Sequence, residues 1–324
     1  MKTVRDAIDV ITVTLNPAID ETVTIPNFTA GQVNRVEHIR SNPGGKGVNV
    51  ASTLADYGLA VAATGFLGRE NPSSFETLFA EKHIADHFIR VAGHTRVGIK
   101  ITDPTRQETT DINFPGLAPS PHDLDALHAE LDRLSEHSNS WFVLAGSVPP
   151  GVDPTIYREL TARLKAQGCK VALDTSGEPL RHALDAAPHF IKPNVHELES
   201  LLGKPLSDIQ TIIQAGKNLV ARGIELVVIS IGADGACFLT SEDVVIARSP
   251  QIEITSTVGA GDAMVSGVIA SRLTNLPLEE CARLASGFSL DLLSRQPGGR
   301  SSRESISEAT ARIVTERPES VFRS

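Results

Sequence analysis

Residues 256–267 read S-T-V-G-A-G-D-A-M-V-S-G. Gly259, Ala260 and Gly261 carry almost no side chain, and a helix-like run follows them at once. The first turn of a helix leaves backbone N–H groups unpaired, and these attract anions. Small residues leave such groups open to close approach. A transferring phosphoryl group spreads negative charge over its equatorial oxygens, and donors at this turn would stabilise it. Asp262 would then stand beside that group, placed to take the proton of an attacking hydroxyl. The same G-A-G-D also fits an aspartate that simply caps a helix after a glycine turn. On this stretch alone both readings stand.

Outward from it, strand-like runs alternate with helical patterns. V-I-T-V-T-L (10–15), V-A-A-T-G-F (61–66), W-F-V-L-A-G (141–146), K-V-A-L-D (170–174), H-F-I-K-P (189–193) and L-V-V-I-S-I (226–231) read as strands. Helices are expected at about 47–57, 121–134 and 207–220. Continuous apolar strands separated by helices imply an α/β fold, with a mostly parallel central sheet flanked by helices on both faces. Two regions instead alternate polar and apolar residues: T-V-T-I-P (22–26) with V-N-R-V-E-H-I-R (33–40), and T-R-V-G-I-K-I-T (95–102) with E-T-T-D-I-N-F (108–114). Period-two alternation predicts half-exposed strands, hence a small antiparallel β-lid. With no repeat or long linker in view, residues 1–324 are read as one domain with lid insertions at 21–40 and 92–114.

In such a sheet, ligands gather beyond the carboxyl ends of the strands. P-G-G-K-G-V-N-V-A (43–51) offers a Gly-Gly turn at a helix start, without the spacing of a Walker A loop or of G-x-G-x-x-G. Lys46 could contact phosphate oxygens and Asn49 hydroxyls, or the stretch is a plain helix start with a solvated lysine. T-L-N-P-A-I-D (14–20) ends in Asp20, whose carboxylate could accept two sugar hydroxyls. I-K-P-N-V-H-E-L (191–198) sets Asn194 and Glu197 three apart on a first helical turn. Glu197 could act on magnesium through water, or it closes a capping box on Asn194. V-I-S-I-G-A-D-G-A (228–236) brings Ser230, Gly232 and Gly235 to a strand end, where a nucleotide or a hairpin turn explains the glycines equally well.

The composition narrows the partners. With 39 acidic against 30 basic side chains the net charge is −9, which argues against nucleic acid and anionic membrane. It leaves room for a small anionic substrate held by a few local cations. Cys169, Cys237 and Cys281 are far apart and show neither metal nor disulfide spacing, so a reducing cytoplasm is expected. His83 and His87 have i,i+4 spacing but lack the glutamate of the zinc-protease motif, and read as surface histidines. The apolar stretch at 8–15 is too short and mixed for a signal peptide or membrane span.

Taken together these motifs resemble the ribokinase-like carbohydrate kinases of the pfkB type, from Thr14 to about Gly299. T-V-G-A-G-D and P-G-G-K-G-V-N-V-A are the most specific parts of the likeness. T-L-N-P-A-I-D, T-R-V-G-I-K-I, L-A-G-S-V-P-P-G and E-T-T-D-I-N-F-P-G are similar to the 1-phosphofructokinase and tagatose-6-phosphate kinase branch, which makes 1,6-bisphosphates from ketose phosphates. The resemblance implies a kinase using ATP and Mg²⁺ on a sugar phosphate. In it Asp262 is the catalytic base, and Gly259, Ala260 and Gly261 form the anion hole. Asp20, Gly44, Gly45 and Asn49 hold sugar hydroxyls, while Lys46 and Arg96 grip the substrate phosphate, with Arg35 and Ser147 as further sugar-side candidates. Lys192, Asn194, Glu197, Ser230, Gly232, Gly235 and Thr257 face the nucleotide, Glu197 also serving the metal through water. Phe288 and Leu290 depart from the pattern, standing where the family often has small residues near the adenine. Fructose 1-phosphate and tagatose 6-phosphate are both candidate acceptors, because side-chain chemistry alone does not separate them. A silent sugar-phosphate sensor would keep Asp20, Gly45 and Arg96 but lose the base or the anion hole, and here both are present. Val33, Val36 and Ile39 suit either a homodimer through the lid or a lid folded on its own core.

Overall fold

The computed structural model describes residues 8–136, 140–252, 258–295 and 299–318. The chain runs β1 (Val10–Thr14), β2 (Ala18–Thr24), β3 (His38–Gly44), α1 (Lys46–Asp56), β4 (Val61–Gly68), α2 (Ser73–Lys82), β5 (Ala85–Asp86), β6 (Ile89–Val91), β7 (Arg96–Asp103) and β8 (Glu108–Asn113). It continues with α3 (Pro121–Ser135), β9 (Trp141–Ala145), α4 (Ile156–Ala166), β10 (Lys170–Asp174), α5 (Gly177–Ala183), β11 (Phe190–Ile191), α6 (Val195–Leu202) and α7 (Ile209–Val220). Then come β12 (Leu226–Ser230), β13 (Ala236–Leu239), β14 (Val244–Arg248), α8 (Ala260–Leu273), α9 (Leu278–Ser294), α10 (Arg303–Ala311) and β15 (Val314–Glu316).

The large sheet has the order β15-β14-β13-β12-β11-β10-β9-β1-β4-β5, with β6 beside β4. From β12 to β5 every pairing is parallel, and β13, β14 and β15 run antiparallel at one edge. Alternate residues of each buried strand feed opposite faces. Ile11, Val13, Phe142 and Leu144 meet α3 to α7, whereas Val10, Trp141, Val143 and Ala145 meet α1, α2, α8 and α9. This is why the strands read as unbroken apolar runs rather than as alternating ones. Helix α8 is buried from Asp262 to Ser271 without interruption, so it shows no amphipathic stripe.

A second, four-stranded sheet has the order β3-β2-β7-β8. Its outer pairs are antiparallel, while β2 and β7 are parallel because β7 is reached by a long crossover through β4 and α2. Val23, Ile25 and Ile101 form its own small core. The expected strand at 33–40 is corrected: β3 starts only at His38. The Asn34 side chain accepts from the Thr29 amide at 3.0 Å and donates to the carbonyls of Thr29 and Gln32, and this local turn displaces ladder pairing. Asp20 does not end β1 either. That strand stops at Thr14, and Asp20 lies inside β2 after the Asn16–Pro17 turn.

Helix α2 ends at Lys82 with His83 in a left-handed conformation, so His83 and His87 share no helix face. His87 pairs with Glu130 at 2.8 Å, and among the described residues no cluster of three or more His, Cys, Asp or Glu side chains could hold a metal. All three cysteines are buried and free. None of the described helices is long and apolar enough to cross a membrane.

Gly65 on β4 faces Thr14 of β1 at φ 134°, and an added Cβ would overlap the Thr14 carbonyl. Gly168, at φ 79°, opens on empty space. Both substitutions to alanine strain the backbone, but only the first meets a fixed wall. Gly65→Ala is expected to lower the unfolding free energy by at least ~2 kcal/mol more than Gly168→Ala. Urea denaturation measures this, and equal costs would contradict the close strand approach.

Candidate active site

The carboxyl ends of the parallel strands meet along one rim, and two helices begin there. Helix α1 starts after Gly45, which takes φ 116°. A Cβ on Gly47 would overlap Thr14 Oγ1, so the glycine lets the first turn of α1 sit directly on the end of β1. Helix α8 starts after Gly259, at φ 81°, with Ala260 and Gly261 in its first turn. The unpaired N–H groups of both first turns make this rim attractive to anions.

Asp262 is buried in the first turn of α8, and Asn49 of α1 donates its Nδ2–H to Asp262 Oδ2 at 2.8 Å. Asn49 therefore holds the base candidate as well as facing the cleft. Burial pushes the Asp262 carboxyl up to about 6, repulsion from Asp174 adds to this, and Asn49, Lys46 and Lys192 oppose it. Lys46 Nζ lies 3.1 Å from Asp174 Oδ1, and buried Lys192 Nζ lies 3.7 Å from the same oxygen. Burial works against the Lys46 ammonium, but Asp174, Glu197 and Asp262 hold its proton affinity above that of an ordinary lysine. An ideal Cβ on Gly261 would stand 3.0 Å from Lys192 Nζ, so this ammonium borders the small-residue turn.

A cleft of about 290 Å³ opens beside this cluster, lined by Asp20, Gly45, Lys46, Asn49, Arg96 and Ser147 together with Asn16, Ala18, Gly146, Thr175 and Ser176. Its size suits a small polar ligand. Six of the eight sugar-side candidates are thus brought together. Gly44 serves differently: a Cβ there would overlap the Asp20 carboxylate, so this glycine makes room for the acid. Arg35 is corrected, because it stands on the exposed 33–37 stretch and does not line the cleft. Burial raises the Asp20 carboxyl against the pull of Arg96 and Lys100. Arg96 donates to the carbonyls of Phe114 at 3.2 Å and Asn16 at 3.4 Å, and its buried Nε has no partner.

On the nucleotide side, Asn194 and Ser230 are joined by a bridge across the rim, next to Lys192. Glu197 closes a capping box, accepting from the Asn194 amide at 2.9 Å while the Asn194 side chain accepts from its own amide at 2.8 Å. The cap uses Oε2. These donors fit a magnesium ion held mainly by phosphate oxygens and waters, not a cage of protein ligands. Gly232 takes φ 62° in open space, whereas Gly235 is required by the hairpin, since a Cβ there would overlap the Ala247 carbonyl. Thr257 lies outside the described residues. Phe288 and Leu290 are buried in helix packing, Phe288 with its ring centroid 4.9 Å from that of Tyr57.

Sequence reasoning missed Asp174 and Asn16. Asp174 was signalled by K-V-A-L-D, an apolar strand ending in a carboxylate. Asn16 joins the lid to the rim through 3.2 Å and 3.1 Å bonds to Pro115 O and Ser147 Oγ, pairings between distant segments that no local pattern reveals.

Because burial raises the Asp262 carboxyl above its unfolded value, the folded state binds this proton more tightly. The group's contribution to stability is full below the unfolded value near 3.8 and is lost as pH rises through about 6. Asp262→Asn, which keeps an acceptor for Asn49, should therefore raise Tm at pH 8 and give no gain at pH 4. Thermal unfolding across this range checks it; a gain independent of pH would contradict the assignment.

The chain matches the pfkB family of carbohydrate kinases over residues 13–300. It is 48% identical to a 1-phosphofructokinase of Rhodobacter capsulatus, over 88% of this chain and 90% of that one. A 1-phosphofructokinase of Xanthomonas campestris is 45% identical, over 95% and 98% of the two chains. The crystal structure of phosphofructokinase-2 from Escherichia coli in complex with potassium superimposes with a TM-score of 0.87 at 26% identity, covering 94% of this chain and 98% of that one. Helix starts, rim and lid all agree with this match, and the chain belongs to the pfkB family of carbohydrate kinases.

Proposed function

We propose that the protein transfers the γ-phosphoryl group of ATP to O6 of fructose 1-phosphate, yielding fructose 1,6-bisphosphate and ADP. The observation that carries this reading is Asp262: a buried carboxylate at the start of α8, beside two lysines and behind a cleft for a small polar ligand. The name borne by the relatives supports the choice of acceptor.

In this reading the sugar lies in the cleft with its hydroxyls on Asp20 and Asn49. Arg96 holds the phosphate at the far end through its guanidinium. Asp262 accepts the O6 proton as that oxygen attacks the γ-phosphorus and the bond to the ADP oxygen breaks. The first-turn amides of α8 and the ammoniums of Lys46 and Lys192 stabilise the charge on the moving group. Magnesium bound with the nucleotide would neutralise phosphate charge, with Glu197 reaching it through water. Lys192, Asn194, Ser230 and Gly232 border the nucleotide. Residues 1–324 act as one catalytic unit in the cytoplasm, and the lid covers the sugar.

The lid also supports a homodimer. Val33, in the loop before β3, is 88% exposed, and Ile39, on β3, is 64% exposed, beside a sheet whose β3 and β8 edges are uncovered. Sedimentation velocity is expected to show a dimer that Val33→Asp with Ile39→Asp converts to monomer; a monomeric wild type would contradict it.

A panel of ketose phosphates with ATP and magnesium tests the activity. Fructose 1-phosphate should give the highest kcat/KM, and a preference for tagatose 6-phosphate or an unphosphorylated sugar would overturn the assignment. Asp262→Asn should cost roughly 10²–10⁴-fold in kcat. For the wild type, kcat/KM should fall as pH drops through about 6, where the base becomes protonated. A flat profile from pH 5 to 8 would count against Asp262 as the base.

A further inference from the structure

Asp174 is buried at the end of β10, with 1% of its side chain exposed, and has no part in the chemistry above. Its main chain is fixed: the Asp174 carbonyl accepts from Gly146 N at 3.0 Å, and Thr175 Oγ1 donates to the Gly146 carbonyl at 2.9 Å. Its Oδ1 is shared by Lys46 Nζ at 3.1 Å and Lys192 Nζ at 3.7 Å. Its Oδ2 is buried without a hydrogen-bond partner. A carboxylate kept only for packing would be an expensive choice in such surroundings. Two ammoniums converging on one phosphoryl group repel each other, and an anion between them removes that repulsion before any substrate arrives.

Resting on the kinase reading above, we propose that Asp174 is a positioning residue: a fixed anion on β10 that holds Lys46 of α1 and Lys192 of the β11–α6 turn side by side next to the base. It touches neither sugar nor nucleotide and acts through the two lysines. The groups that face Asp262 are Asn49 and Lys46 from α1, Asp174 from β10 and Lys192 from beyond β11. Those that face Lys46 are Asp174, Glu197 and Asp262. Replacing Asp174 removes a negative neighbour of Asp262 and frees Lys46 to move onto it. Both effects favour the ionised base.

The test is Asp174→Asn, which keeps the size of the side chain, set against Lys46→Met. In Asp174→Asn the acid limb of kcat/KM should move down by on the order of one pH unit. Its kcat should fall about 10- to 100-fold from misplaced lysines, with a smaller change in KM for the sugar phosphate. Lys46→Met should move the limb the opposite way, and the double variant should cost less than the sum of the two single losses, because Asp174 acts in part through Lys46. An unmoved limb with a lower kcat, or additive losses, would reduce Asp174 to a structural role and overturn the proposal. Full rescue of Asp174→Asn by raised magnesium would make it a metal ligand and overturn it too. A readout without turnover separates this from failure of the kinase reading. The pH at which Asp262→Asn begins to raise Tm should shift down when Asp174→Asn is also present. That shift in a protein inactive on every ketose phosphate would keep the positioning role and reject the reaction. Active wild type without the shift would do the reverse. Should Asp174→Asn not fold, the upward limb shift in Lys46→Met is the deciding result, and its absence rejects the proposal.

Discussion

A carboxylate must stay ionised while 93% of its surface is taken from water, and this constraint on Asp262 organises the rim around it. Burying a charge is costly unless it is paired or hydrogen-bonded. Asn49 supplies the bond, Lys46 and Lys192 the opposite charge, and α8 the positive end of its backbone dipole. These come from three separate segments, so the site exists only when α1 and α8 both start at the carboxyl edge of the sheet. Gly47 against Thr14 and the bond from Ser266 Oγ to the Val50 carbonyl set the two helices in that relation. The compensation is incomplete by design of the surroundings, which leaves the acid near 6 and able to exchange a proton at neutral pH.

The lid extends the same logic to the sugar. Asp20 is carried on β2, the strand shared between lid and rim, and its carboxylate fits only because Gly44 and Gly98 on the neighbouring strands lack side chains. Asn16 ties β1 to the returning segment after β8, and its carbonyl steadies Arg96. Asp103 gathers the amides of Asn27, Phe28, Thr105 and Arg106, which locks the two lid turns together at their outer end. The lid is thus anchored at both ends while its middle strands keep little core of their own.

Much of this could be read from the chain. The central strands announced themselves as apolar runs, and α3 and α7 by their helical pattern. The small-residue turn before Asp262 gave the site because only glycine and alanine leave amides bare. Three things stayed hidden. Helix α8 is buried on all sides from Asp262 to Ser271, so its packing partners had no sequence signature. The 33–37 stretch alternated like a strand, yet the Asn34 side chain turned it into a loop, on which Arg35 is exposed and does not line the cleft. Asp174 pairs with Lys46, 128 residues away, and Asn16 bonds to Pro115, 99 residues away, and such pairing leaves no local trace. Of the two readings of Glu197, the structure shows the cap: it closes a capping box on Asn194 at the start of α6.

The most direct measurement is a crystal structure of the protein with fructose 1-phosphate and a non-hydrolysable ATP analogue. The account predicts O6 of the sugar within about 2.6–3.2 Å of an Asp262 carboxylate oxygen, in line with the terminal phosphorus, and the sugar's phosphate on Arg96. A sugar bound the other way round, with its phosphate against Asp262 or its O6 out of hydrogen-bond reach, would contradict it.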